Sequence, residues 1–238
     1  MTSVANRLIE GLPRKARHQL LGMCEAVELD LGEVLYDRDA SARHIYFPTG
    51  STLSLRSSPG DLPVLEIGMV GNEGVLGAHI ALGVGTSATF AQVRGAGSAW
   101  RMTTARFKAE LTRSAPLERS IRRYLHVTIL QHVSMARCSR FHNLDQRLAR
   151  LLLMTHDRAQ ADTFGVTHEL MASMLDVRRG VSRWLRRPFS AAPPLSMPAG
   201  RSPSLIESRW KPRPVPVTRL TADPIRSTCR KARSSVAR

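Results

Sequence analysis

Apolar positions follow a helical spacing at the start of the chain, alternate through its next third, and return to a helical spacing from residue 104. Residues 5–25 (ANRLIEGLPRKARHQLLGMCE) predict a short helix, a break at Pro13 and a second helix. From about Ala26 to Arg106 the pattern becomes that of strands. Val27, Leu29 and Leu31 alternate with acids. Val34–Tyr36, Ile45–Phe47, Thr52–Leu55 and Val64–Val70 predict further strands, with Gly32, Gly50, Pro59-Gly60, Gly71-Asn72 and Gly74 as turn residues between them. Short strands at near-regular spacing predict a β-sandwich or β-roll.

Residues 104–112 predict a short helix and residues 116–141 a long one. In the long helix Leu117, Ile121, Leu125, Ile129 and Val133 recur at every fourth position, flanked by Arg119, Arg122 and Arg123. Such a stripe packs either against its own copy or against the β-domain, and dimerisation is the expectation. Residues 144–159 (LDQRLARLLLMTHDRA) predict another amphipathic helix, with Asp145 near its start. Thr163-Phe164-Gly165 then turns the chain into VTHELMASMLDVRRGVSRWLRR, residues 166–187.

This last run reads as a helix-turn-helix. Thr167 is a candidate N-cap, and Leu170, Met171, Met174 and Leu175 make one apolar face. Ala172 is small, as a close helix crossing requires. Asp176-Val177 interrupts the pattern, and Arg178 and Arg179 open the next segment, where a recognition helix enters the major groove. Arginine there can donate bidentately to guanine or clamp a phosphate. On these residues alone, a helical hairpin with a solvated basic face is the alternative.

Composition narrows the class. Mean hydropathy is −0.18, and no apolar run reaches the roughly 20 residues of a membrane helix. The N-terminus lacks the apolar core of a signal peptide. Cys24, Cys138 and Cys229 lie far apart with no CxxC pair, which fits a reducing cytoplasm and offers no zinc or cluster site. The net charge of +16 is uneven: 13 of the 35 Lys and Arg, but only two of the 19 acids, lie from Arg183 onward. The high isoelectric point is therefore mostly a property of the last quarter and is weak evidence for a nucleic-acid partner.

The order β-roll, long helix, helix-turn-helix resembles the Crp/Fnr family of bacterial transcription regulators. The resemblance covers about residues 15–182. It is closest at ARCSRFHNLDQRLARLLLMTHDRA followed by VTHELMASMLDVRR. It implies an α+β chain with a jelly-roll, cyclic-nucleotide-binding-like effector domain (1–115), a dimerisation helix (116–142) and a winged helix-turn-helix domain (143–187), while the pattern and composition beyond about residue 180 predict that the winged helix is incomplete and that a disordered basic Pro/Arg/Ser-rich tail (188–238) follows. On that reading Arg178, Arg179 and Ser182 contact DNA, with Thr167 and His168 as phosphate contacts. The dimerisation residues are Leu117, Ile121, Leu125, Ile129 and Val133. The implied partners are double-stranded DNA, a second copy of the chain, RNA polymerase and an unidentified small-molecule effector in a cytoplasmic setting.

The departures from the family pattern carry information too. Members that bind cyclic AMP have a Gly-Glu, then an Arg followed by Ser or Ala, in the phosphate cassette. Here GNEGVLGAHIALGVGTSATFAQV has no arginine between Gly71 and Val93, so cyclic AMP is not the expected effector. The N-terminal cysteine pattern of the oxygen-sensing members is missing. His44, His79 and His126 read as ordinary core or surface histidines. No cofactor, metal site or catalytic constellation is expected, and an enzyme is not the reading.

After about residue 180 the pattern fails. The small residue Ala172 should be followed by a turn glycine four positions on and a buried Val or Ile ten on, but Asp176 and Ser182 stand there. Val181 arrives one position early, which on a helix swaps a buried and an exposed site. Nine of the 14 prolines lie in residues 183–238, and no helix or strand period survives. A shifted reading frame accounts for both features. Read one base over with GC-rich codons, two separated stretches fit the recognition-helix continuation, the wing and the terminal segment. A genuine basic tail that binds phosphate backbone is the rival. The expected function is a Crp/Fnr-type regulator on a palindromic site. The alternative is a β-roll sensing or interaction module that has lost specific DNA binding.

Overall fold

The computed structural model describes residues 5–57 and 65–159. Asn6 opens α1 (Arg7–Glu10), and its Oδ1 accepts the amides of Leu8 and Ile9 at 3.1 Å each. Its Nδ2 donates to the carbonyls of Pro48 and Gly74, both at 2.9 Å. One buried side chain therefore caps a helix and ties the chain start to two loops of the β-domain. Replacing Asn6 by alanine leaves two amides uncapped and two carbonyls without a donor. The expected loss is about 2 kcal/mol, read as a lower urea midpoint at unchanged slope. Pro13 then stands at the head of α2 (Arg14–Leu21), which separates the two helices as its position in the sequence predicts.

Seven strands follow among the described residues: β1 (Glu25–Leu29), β2 (Val34–Tyr36), β3 (His44–Pro48), β4 (Thr52–Ser57), β5 (Leu65–Val70), β6 (Phe90–Gly95) and β7 (Gly97–Thr103). They form an antiparallel three-stranded sheet ordered β1-β7-β3 and an antiparallel four-stranded sheet ordered β2-β6-β4-β5. The alternation expected to run on to Leu31 stops at Leu29. Leu31 is 69% exposed, because the chain leaves the sheet at Gly32, whose φ is +88°. A 3-10 helix, Ala78–Leu82, lies between β5 and β6.

The two sheets enclose Phe47, Leu53, Val93 and Met102. Helices close the open end. Phe107 of α3 (Thr104–Arg113) meets Phe47 edge-on, with ring centroids 6.3 Å apart. Thr103 caps α3, and Ser114 ends it while capping α4 (Ala115–Phe141), with Pro116 in the first turn. Asn143 and Gln146 exchange hydrogen bonds between each side chain and the other's amide, at 3.0 and 3.1 Å. This capping box starts α5 (Leu144–Ala159) immediately after α4 ends. The helix-turn-helix candidate, the register break and the basic tail all lie outside the described residues.

Candidate functional site

Helix α4 is where the expected stripe can be placed side chain by side chain. Leu117 and Ile121 are buried in the β-sandwich core, and Leu125 packs partly against it. Ile129 and Val133 are 60% and 51% exposed. The stripe is therefore divided, and Leu117 and Ile121 are not available to a partner. The reason is geometric. A step of four residues turns an α-helix about 400°, so each member is displaced about 40° from the last. Over the four steps from Leu117 to Val133 the stripe winds through about 160°, from the β-domain to the opposite side.

Facing the middle of α4 is the loop Gly71-Asn72-Glu73-Gly74. Tyr124 lies against Gly74, where any Cβ would collide with its ring and hydroxyl. Burial and the Glu73 charge raise the Tyr124 hydroxyl pKa to about 12, against a hydrogen bond with the Val75 backbone. An aromatic ring thus occupies this loop from the α4 side. Asn72 accepts the Arg7 amide at 2.7 Å, so the loop is also fixed to α1.

The last turn of α5 reaches the same loop. Arg158 Nη2 lies 2.7 Å from Glu73 Oε1, and its Nη1 donates to the Met154 carbonyl at 3.0 Å. The Arg158 side chain is 3% exposed, against 22% for Glu73. Gly71 allows the approach: a Cβ there would stand 2.9 Å from Arg158 Cγ.

A second carboxylate is buried more completely. Ser54 donates to Glu66 Oε2 at 2.7 Å from the neighbouring strand, and both residues are buried. Desolvation raises the Glu66 pKa to about 7, against the Ser54 hydrogen bond and the charges of Arg94, Arg56 and Arg158. Arg94 itself is lowered by burial and by Arg56 beside it. Glu66 also borders a cleft of about 280 Å³ between β5, α4 and α5.

The histidines singled out in the sequence do not come together. His44 packs edge-on to Tyr46, His79 edge-on to Tyr36 with its pKa lowered by burial, and His126 is exposed on α4. Among the described residues no group of His, Cys, Asp and Glu could hold a metal ion. No described helix is long and apolar enough to cross a membrane. Thr167, His168, Arg178, Arg179 and Ser182 lie outside the described residues. Glu66, Tyr124 and Arg158 went unnoticed in the sequence, where each is one ordinary residue within a periodic run. Only the fold gives them neighbours.

No protein-family model matches this sequence, and no curated protein matches it. Solved structures do. The c-di-GMP-responsive global regulator CLP from Xanthomonas campestris superposes with a TM-score of 0.62 at 16% identity, over 75% of this chain and 92% of its own. FixK2 from Bradyrhizobium japonicum gives 0.58 at 12% identity, over 68% and 81%. A protein from Eubacterium rectale described as a Crp/Fnr-family transcriptional regulator gives 0.62 at 13% identity, over 77% and 86%. At these identities the likeness establishes the fold. The described residues form a Crp/Fnr-like, cyclic-nucleotide-binding-like β-sandwich with its helices.

Proposed function

We propose that this chain, with its Crp/Fnr-like fold, is a cytoplasmic, homodimeric DNA-binding transcription regulator. Its β-sandwich is the effector domain, and α4 carries the dimer contact. The observation that supports this most directly is the likeness to regulators over three-quarters of the chain, extending past the β-domain into the helices. Arg178, Arg179 and Ser182 are the proposed DNA contacts, with Thr167 and His168 at the phosphates. RNA polymerase is a further proposed partner.

The dimer contact is proposed for Ile129, Val133 and the outer side of Leu125, since Leu117 and Ile121 belong to the core. Charge at two apolar contacts in one interface opposes its own image across a two-fold axis. The pair Ile129→Glu and Val133→Glu is therefore expected to shift the monomer–dimer equilibrium at least a hundredfold toward monomer in sedimentation velocity, with the β-domain still folded. An unchanged equilibrium places the contact elsewhere.

Retardation of a palindromic DNA site, falling steeply with salt, tests the DNA-binding reading. Arg178→Ala should weaken that binding about tenfold or more. The second reading is a sensing module that has lost specific DNA binding. It is favoured by Asp176 and Ser182, which stand where a turn glycine and a buried aliphatic residue are needed. Resequencing the gene across codons 170–238 separates the two. A restored frame that encodes a wing supports the regulator, and a confirmed frame supports the module.

A further inference from the structure

The cleft between β5, α4 and α5 is lined mainly by apolar side chains, with a few polar ones among them. Leu65, Ile67 and Met69 of β5, Met135 of α4, and Leu151 and Met154 of α5 make its apolar lining. Three of these six are methionines, whose unbranched, polarisable side chains adapt to different apolar shapes. Glu66, His132, Ser139, Arg147 and Arg150 border the same space. Arg150 Nε is buried and has no hydrogen-bond partner among the described residues. Arg94 and Arg158 leave a buried Nε open as well, but of the three only Arg150 borders the cavity, where its nitrogen can meet an acceptor. At about 280 Å³ the cleft lies just under the roughly 300 Å³ where small-molecule sites begin. It takes about nine water-sized groups at roughly 30 Å³ each.

We infer that this cleft binds a small amphipathic carboxylic acid. Its carboxylate accepts from Arg150, and its apolar body of about eight carbons lies among Met69, Met135, Leu151 and Met154. Several features select this class. The predominantly apolar lining disfavours a sugar or a nucleoside, most of whose hydroxyls would go unpaired there. Tyr124 fills the neighbouring space against Gly74, so the open volume lies further along α4, where α5 forms one wall. A ligand in that position touches both the effector sheet and the helix that leads toward the helix-turn-helix candidate. The proposed regulator reading enters only in what binding changes, not in binding itself.

The test uses the full chain, with octanoate as probe and 1-octanol as its uncharged counterpart, by isothermal titration calorimetry. Octanoate is expected to bind one per chain, in the high-micromolar range that such a small ligand allows. Arg150→Met keeps the apolar stem, and should weaken octanoate at least tenfold while leaving octanol unchanged. Met135→Trp fills the cleft and should abolish both, with thermal melting confirming that each variant is folded. Absence of saturable octanoate binding up to 5 mM overturns the proposal, and so does binding that is indifferent to both substitutions. DNA retardation with and without octanoate, on the same samples, keeps the two readings apart. Octanoate binding without DNA binding sustains the cleft and removes the regulator. DNA binding without octanoate binding does the reverse.

Discussion

Replacing Glu66 by glutamine raises the stability of the protein by about 3 kcal/mol at pH 8 and leaves it unchanged at pH 4. Glu66 is nearly fully buried, and its pKa is raised from 4.5 to about 7. A carboxyl raised on folding holds its proton more tightly in the native state than in the unfolded chain. Below the unfolded value both states are protonated, and the group contributes nothing to the difference. Between pH 4.5 and 7 the unfolded chain releases a proton that the folded one keeps, so stability falls as pH rises. Above 7 the full cost of a buried carboxylate is present. Glutamine mimics the protonated form, and its Oε1 still accepts from Ser54, so the hydrogen bond of 2.7 Å survives the exchange. Urea titrations of the two proteins at pH 4, 6 and 8 should therefore diverge as pH increases. Parallel curves would mean that Glu66 is solvated in solution.

Arg158→Ala is expected to release α5. Its guanidinium is buried beside Glu73 and hydrogen-bonds the Met154 carbonyl. Removing one member of a buried pair costs about 3–5 kcal/mol where the other charge stays buried. Here Glu73 is partly exposed and can rehydrate, and α5 can open without unfolding the sandwich. The measured cost is then capped by what holds α5 to the domain, and about 3 kcal/mol is the expected value. Amide exchange in α5 should accelerate a little over a hundredfold, while protection in β3, β4 and β7 stays as it was. Gly71→Ala should act in the same direction without altering any charge, since the added methyl meets Arg158 Cγ. If the strands lose protection together with α5, the joint is part of the global core instead.

Periodicity carried most of the fold. The strand patterns at Val34–Tyr36, Ile45–Phe47 and Thr52–Leu55 lie inside β2, β3 and β4, and the three helices from residue 104 agree with α3, α4 and α5 to within a residue or two. The strands β6 and β7 had no separate signal. Phe90–Gly95 and Gly97–Thr103 mix small, polar and charged residues, and the central places they take in the two sheets come from pairing with distant strands. The start of α5 was legible in principle, because Asn143 followed by Gln146 three residues on is a capping pattern. Spacing alone placed Leu117 and Val133 on one face. The winding of that face follows from the same spacing, since four residues turn a helix about 400°, but which surfaces meet its two ends does not. Glu66 and Arg158 were out of reach for a different reason: burial and charge pairing across elements leave no trace in the local pattern.

The division of α4 has a consequence for how the protein melts. One continuous helix of 27 residues gives its first half to the core through Leu117 and Ile121 and leaves Ile129 and Val133 outside. Whatever covers the outer half also restrains the inner one, because the backbone between them has no break. If a second copy covers it, mass action applies: diluting the protein lowers the melting temperature of the β-sandwich itself, although no contact inside that domain has changed.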